Sequence, residues 1–300
     1  MSPLDRLGVR GRCESGAGAP AVWLAALLVV LAAVVPYLPT RHSYFVQDDF
    51  GVVALLASKP WWSFPGWFVT TWMDHIWGYT PDEIRPFPAV SYQLTALWGA
   101  TSTTANHLLN MALHAGNGLL VLALGRAAAG LSLPGATVAA LVFVVLPVQS
   151  ESVVWITGRV DSMPTLCYLA SLLAWVRWRA TGRASRYWWA LVWLFVALFT
   201  KQNTITLGPA LVAFDWLMGG RPSAWRARAV WAWLRPYLPF AVLTLLYLGL
   251  RYVLFGAVAR EDSLRDGAGA FFVTTVDHHL RHMVFGLRTA APWTSGVGLA

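Results

Sequence analysis

Apolar residues come in runs rather than in an alternation, and polar residues break the runs at intervals that suit helices crossing a bilayer. The first run is Ala21 to Leu38. Further runs cover 104–125, 134–148, 162–178, 187–200, 204–218 and 236–256. A span needs about 20 residues to cross the hydrocarbon layer. The pattern predicts an all-α, polytopic transmembrane bundle of about seven spans, with an eighth near 271–290. Pro147, Pro164 and Pro209 fall near run ends, where a helix stops at small cost.

Between the first and second runs lies a long polar-aromatic loop, 40–103. In it, Trp61, Phe64, Phe68 and Trp72 are three or four residues apart, which predicts one face of an amphipathic helix lying in the membrane interface. Trp62, Trp67 and Trp77 add to its aromatic content. Three segments follow: a basic tail over 1–21, a membrane domain over 22–258, and a segment over 259–300 that begins a further span or lies on the outer side.

Composition reinforces the pattern. Hydrophobic residues make up 57% of the 300 residues and charged residues only 12%, about half the usual charged share. Such a chain cannot cover a water-facing surface, which excludes a soluble enzyme and a free nucleic-acid binder. The net charge of +8 follows topology instead. With the N-terminus inside, Arg6, Arg10, Arg12, Arg126, Arg177, Arg179, Arg183, Arg186, Arg221, Arg226, Arg228 and Arg235 fall on the cytoplasmic side. Arg41, Lys59, Arg85, Arg159 and Lys201 fall outside, as the positive-inside rule requires. Acidic residues lean outward (Asp48, Asp49, Asp74, Asp82, Glu83, Glu151, Asp161). They do little to set topology, so their clustering points to a site on the outer face. Cys13 and Cys167 have neither metal-ligand spacing nor a disulfide pattern.

The adjacent carboxylates Asp48 and Asp49 follow the first span within Phe45-Val46-Gln47-Asp48-Asp49-Phe50. Dry surroundings and a like charge raise a carboxylate pKa, which suits a general base; a loop turn or helix cap would use the same residues. His107, Asn110, His114 and Asn117 form a polar stripe along the second span. Such a stripe glues helices together, and His107, nearest the outer end, is the better site candidate. In the outer turn Pro147–Asp161, Glu151 is placed to orient an acceptor or bind a metal. Arg159 is placed to grip a phosphate, or to pair with Asp161 or Glu151. Lys201 and Arg85 stand at other outer span ends, as further cations or as interfacial anchors. No Walker loop, GxGxxG, HExxH or GxSxG occurs.

In this order, Phe45-Val46-Gln47-Asp48-Asp49, Arg85-Pro86, His107-x-x-Asn110-x-x-x-His114, the Pro147–Asp161 turn and Leu198-Phe199-Thr200-Lys201-Gln202-Asn203 leading to Phe214-Asp215 resemble the GT-C superfamily of polyprenyl-phosphate-sugar-dependent glycosyltransferases. Within it they look most like the transmembrane, TPR-containing O-mannosyltransferase-like proteins, without the TPR part. The resemblance spans about 22–220. Leu146 and Gln149 stand where that family's second outer loop carries histidines. The resemblance implies a GT-C membrane bundle and transfer of a sugar, mannose favoured, from a polyprenyl-phosphate donor to a hydroxyl of a protein or glycan, such as Ser or Thr of an exported protein. Asp48 or Asp49 would be the base; Glu151 and Asp161 would orient the acceptor or a metal; Arg159, Lys201 and Arg85 would hold the donor phosphate; His107 and Asn110 would support them. No cofactor is required with certainty; Mg or Mn at Glu151 is the ion such chemistry admits. The expected location is a bacterial cytoplasmic membrane, in contact with lipid and not nucleic acid, with the site facing outward. A transporter or lipid flippase, or a non-catalytic scaffold descended from the enzyme, would use a similar bundle.

Overall fold

The computed structural model describes residues 18–73, 82–99, 101–218 and 220–258. The tail arginines, Asp74, Trp77 and the eighth run near 271–290 lie outside them. Among the described residues every regular element is helical.

In chain order the α-helices are α1 (Ala19–Val34), α2 (Asp49–Ser58), α3 (Pro86–Ala96), α4 (Thr103–Ala127), α5 (Leu133–Val145), α6 (Gln149–Val154), α7 (Arg159–Thr181), α8 (Ala184–Leu198), α9 (Leu207–Leu217), α10 (Ala227–Leu234) and α11 (Leu238–Phe255). Local chemistry sets several of their ends. The Ser102 and Ser132 hydroxyls accept from the Ala105 and Gly135 N–H groups and cap α4 and α5. α7 and α11 end at Gly182 and Gly256, both left-handed (φ 68° and 71°), a conformation glycine enters without penalty.

Among the described residues three stretches are long and apolar enough to cross a membrane: Ala19–His42, Thr103–Ala127 and Ala227–Phe255. The other expected runs coincide with helices that fall short of that standard. α5, α8 and α9 have 13, 15 and 11 residues, or about 16–23 Å at 1.5 Å per residue, against a hydrocarbon layer of about 30 Å. α7 has the length but carries Arg159, Asp161, Arg177 and Arg179. Outward-facing Trp23, Leu27, Leu245, Leu246 and Val253 are exposed, as expected of side chains meeting lipid.

The aromatic stripe folds differently from its periodicity. Trp61–Phe68 is a 3-10 helix with Pro65 inside it. Proline lacks the N–H an α-helix needs there, so the rings do not share one face. Trp61 and Trp62 are exposed, whereas Phe64 and Phe68 pack on Phe87. Trp67 and Trp72 are buried beside Val52, Val53, Leu56 and Ile156, so the described part of the loop after α1 has a core of its own.

α4 is the central post, packed against α1, α5 and α7. At Gly118 an added Cβ would lie 2.6 Å from a Val144 methyl and 2.8 Å from one of Val29. Small residues of this kind let membrane helices approach closely. α7 pairs mainly with α8, around Trp175, Leu194, Leu198 and Phe240.

Candidate functional site

The site is built where the loop after α1 meets the turn before α7. After the 3-10 helix Val35–His42 the chain extends and reaches Gln47, whose φ of 51° is the one left-handed angle among the described non-glycine residues. Non-glycine residues held in such a conformation cost of order 1–3 kcal/mol, so neighbouring bonds must hold it. The Trp155 Nε1–H donates to the Val46 carbonyl (3.2 Å), and the Val46 N–H donates to Asp49 Oδ2 (3.0 Å). Asp49 is buried, and its Oδ1 accepts from both the N–H and the hydroxyl of Thr157, at 2.8 and 2.6 Å. Both Asp49 oxygens are thus engaged across two loops.

Asp48, the preceding residue, is only half-buried. Its carboxyl is raised above the usual value, chiefly by burial and then by the negative charges of Asp49 and Glu83. Sequence left the two carboxylates equivalent. The structure makes Asp49 an internal tie and gives Asp48 access.

Gly158 allows the turn that presents Thr157. A Cβ there would stand 2.6 Å from the Glu151 carbonyl oxygen and 2.9 Å from Ser152 Cα, so the backbones meet where only hydrogen fits.

One residue later, Arg159 is fully enclosed. Its Nε donates to Asn110 Oδ1 (3.2 Å), Nη1 to Ser91 Oγ (3.1 Å) and Nη2 to Asn106 Oδ1 (2.6 Å) and the Asn106 carbonyl (3.2 Å). Its carbon lies 4.1 Å from the Tyr92 ring centroid. Neither Asp161 nor Glu151 pairs with it among the described residues, and a phosphate would have to displace these neutral partners to reach it.

The remaining candidates divide. Lys201 is half-buried and pairs with Asp161. Arg85 is buried, bonded to Glu83 at 2.8 Å and set over the Trp72 ring. The α4 stripe reaches carbonyls on neighbouring segments. His107 Nε2–H donates to Ser43 and His114 Nε2–H to Val144. Asn110 donates to Trp155 and Ile156, and Asn117 to Ser162. His107 Nδ1 is buried without a hydrogen bond among the described residues.

Glu151 is exposed on α6. Among the described residues no three His, Cys, Asp or Glu side chains converge on a metal position. This donor set does not fit a bound divalent ion, and no step below uses one.

Two residues escaped the sequence reading. Thr157 carried no signal, because its value lies in a bond to a residue 108 positions away. Arg251 did carry one, as a lone cation in the last apolar run. It is buried in α11, donates to the Asp82 carbonyl (3.0 Å) and lies over Phe255.

Relatives were found among curated proteins. Protein O-mannosyl-transferase Tmtc2 of Drosophila melanogaster is 29% identical over 219 residues, covering 66% of this chain and 22% of its own. The chain is similar to protein O-mannosyl-transferases over about two thirds of its length. The Xenopus laevis protein O-mannosyl-transferase tmtc2 is 27% identical over 64% of this chain, and human TMTC4 is 26% identical over 67%. The chain spans only 22–30% of the length of these three relatives. No family model matches the chain, and no solved structure does.

Proposed function

We propose that the chain transfers a sugar, mannose favoured, from a polyprenyl-phosphate donor to a hydroxyl acceptor at the outer face of a bacterial cytoplasmic membrane. The observation that carries this is the division of labour between Asp48 and Asp49. One carboxylate is tied between two loops, and the other is accessible and raised in pKa beside it. A base tuned toward its working pH is what deprotonation of a hydroxyl requires.

In this reading Asp48 takes the acceptor O–H proton as that oxygen attacks the anomeric carbon. The bond from that carbon to the phosphate oxygen breaks, the electron pair leaves with the phosphate, and the configuration inverts. A phosphate is a weak base and needs no proton to leave; it needs positive charge. Lys201, half-buried and sharing its ammonium with Asp161, is the cation we assign to it. Arg85 is engaged in a buried pair with Glu83, and Arg159 supports the turn that presents Thr157. Glu151, at the exposed rim, is assigned to the acceptor, for which Ser or Thr of an exported protein is the favoured class. The membrane domain is taken as 22–258, with the loop 40–103 outside.

Membranes containing the chain should move radiolabel from polyprenyl-phosphate mannose to a Ser/Thr-rich exported protein. Absence of transfer from any polyprenyl-phosphate sugar, with the chain present in the membrane at normal level, would remove the proposal. A cysteine placed near Asp82 should react with an impermeant reagent in intact cells, and one near Arg183 only after lysis; the reverse would overturn the outward-facing site.

A further inference from the structure

Beside the Asp161–Lys201 pair a cleft of about 260 Å³ runs between one face of α7 and the 3-10 helix Gln202–Thr206. From α7 it is lined by Asp161, Pro164, Thr165 and Tyr168, which share a face at helical spacing, and from the other wall by Asn203 and Thr206.

The lining has a specific chemistry. The Thr165 hydroxyl donates to the Asp161 carbonyl (2.7 Å) and that of Thr206 to the Asn203 carbonyl (3.1 Å). Their protons are committed, so each oxygen is left as an acceptor. Asp161 adds a carboxylate. The Asn203 amide and the Tyr168 hydroxyl, each able to donate and accept, form no hydrogen bond among the described residues. Pro164 supplies an apolar patch, and because it lacks an N–H it leaves the Val160 carbonyl without its helical donor. Acceptors, two amphoteric groups and the apolar surface of Pro164 and Leu169 suit a ring bearing several hydroxyls and one C–H face. The volume lies just under the ~300 Å³ at which pockets for drug-sized ligands begin, so the cleft suits a head group and not a lipid chain. Paired with the lining residue Asp161, the Lys201 ammonium has three N–H donors, which leaves donors for a phosphate oxygen.

We propose that this cleft holds the sugar ring of the phosphate-linked donor, with Asn203 and Tyr168 selecting its hydroxyl pattern while Lys201 contacts the phosphate. The proposal rests on the donor reading above and adds two residues to it. Neither change below threatens folding, since Asn203 is exposed and Tyr168→Phe keeps the ring.

The test is equilibrium binding to the full chain in lipid nanodiscs, with three probes: polyprenyl-phosphate mannose, bare polyprenyl phosphate, and methyl mannoside. The wild type should bind the mannosylated lipid about tenfold more tightly than the bare one. Asn203→Ala and Tyr168→Phe should each weaken the mannosylated lipid about three- to tenfold, the range for one neutral hydrogen bond, and leave the bare lipid unchanged. Lys201→Gln should weaken both lipids. Equal wild-type affinity for the two lipids, or an Asn203→Ala loss that is the same for both, would overturn the cleft assignment while leaving the donor reading in place. Methyl mannoside binding as tightly as the mannosylated lipid would make free sugar the ligand and overturn it too. Binding of neither lipid would overturn the donor reading itself, and the cleft assignment with it.

Discussion

The two ends of α7 hold buried charge in opposite ways. They are separated by the 16 residues from Arg159 to Trp175, or about 24 Å of helix. At the far end Asp215 is buried and accepts from the Trp175 Nε1–H (3.1 Å), the Tyr237 hydroxyl (2.6 Å) and Arg179 Nε (3.1 Å). Anion and cation meet there, and aromatic donors complete the shell. At the near end the buried pair of opposite charges, Asp49 and Arg159, is kept apart, while the more exposed Asp161 pairs with Lys201. Asp49 is held by Thr157 and a backbone N–H, and Arg159 by Asn106, Asn110 and Ser91, all neutral. A paired charge fastens helices and spends its field on its partner. Charges held apart by neutral hydrogen bonds keep their fields and fix the surrounding dipoles in advance, which is how polar sites act on reacting groups. The near end also has a second, accessible carboxylate in Asp48, whereas Asp215 stands between Phe214 and Trp216.

The contrast breaks most sharply if the near-end carboxylate proves structural. Asp48→Asn should lower sugar transfer by about 10²–10⁴-fold, the range for lost general-base help, with unchanged yield and melting temperature. Near-full transfer in this variant would move the base elsewhere, with Glu151 next in line.

The far end should give the mirror result. Asp215→Leu removes the acceptor for Trp175, Tyr237 and Arg179 together. It should cost about 3 kcal/mol of stability, at the low end for a broken buried pair because Arg179 reaches the surface. Transfer per folded molecule should stay close to wild type; a specific loss of transfer at normal stability would erase the distinction between the two ends.

Arg159→Lys sharpens the account of the neutral cage. An ammonium keeps the charge but cannot reach Asn106, Asn110 and Ser91 at once as a planar fork does. The expected cost is roughly 1.5–3 kcal/mol, read as lower thermal stability with donor affinity unchanged. A variant of normal stability with weakened donor binding would return Arg159 to the phosphate.

The smallest effect is a shift in pH dependence. Glu83 is one of the negative charges that raise Asp48, so Glu83→Gln should lower the Asp48 pKa. Transfer needs Asp48 deprotonated and falls on the acid side, so that limb should move to lower pH in the variant. A limb that stays in place or moves to higher pH would show that Asp48 does not set it.

Which residues are helical was readable along the chain, because apolar runs and capping residues act over one or two turns. The runs at 104–125, 134–148 and 187–200 fall on α4, α5 and α8. The polar stripe of α4 was legible as a stripe, since its spacing is local. The aromatic stripe misled for a local reason also, since Pro65 within it outweighs the spacing on either side. Partners were not legible. Arg159 could be weighed against Asp161 and Glu151, its neighbours in sequence, but its cage comes from Ser91, Asn106 and Asn110, some 49–68 residues earlier.

Composition and hydropathy were enough to predict a helical protein with helices apolar enough to cross a membrane, because burial in lipid acts on each side chain according to its own chemistry. The assignment of Asp49 to a tie and Asp48 to an open position, the enclosure of Arg159 and the pairing of Lys201 with Asp161 came from packing alone. Each depends on which of several equally polar neighbours arrives within hydrogen-bond distance. That is settled by the approach of segments 40 to 108 residues apart, for which no short stretch of sequence carries a signal.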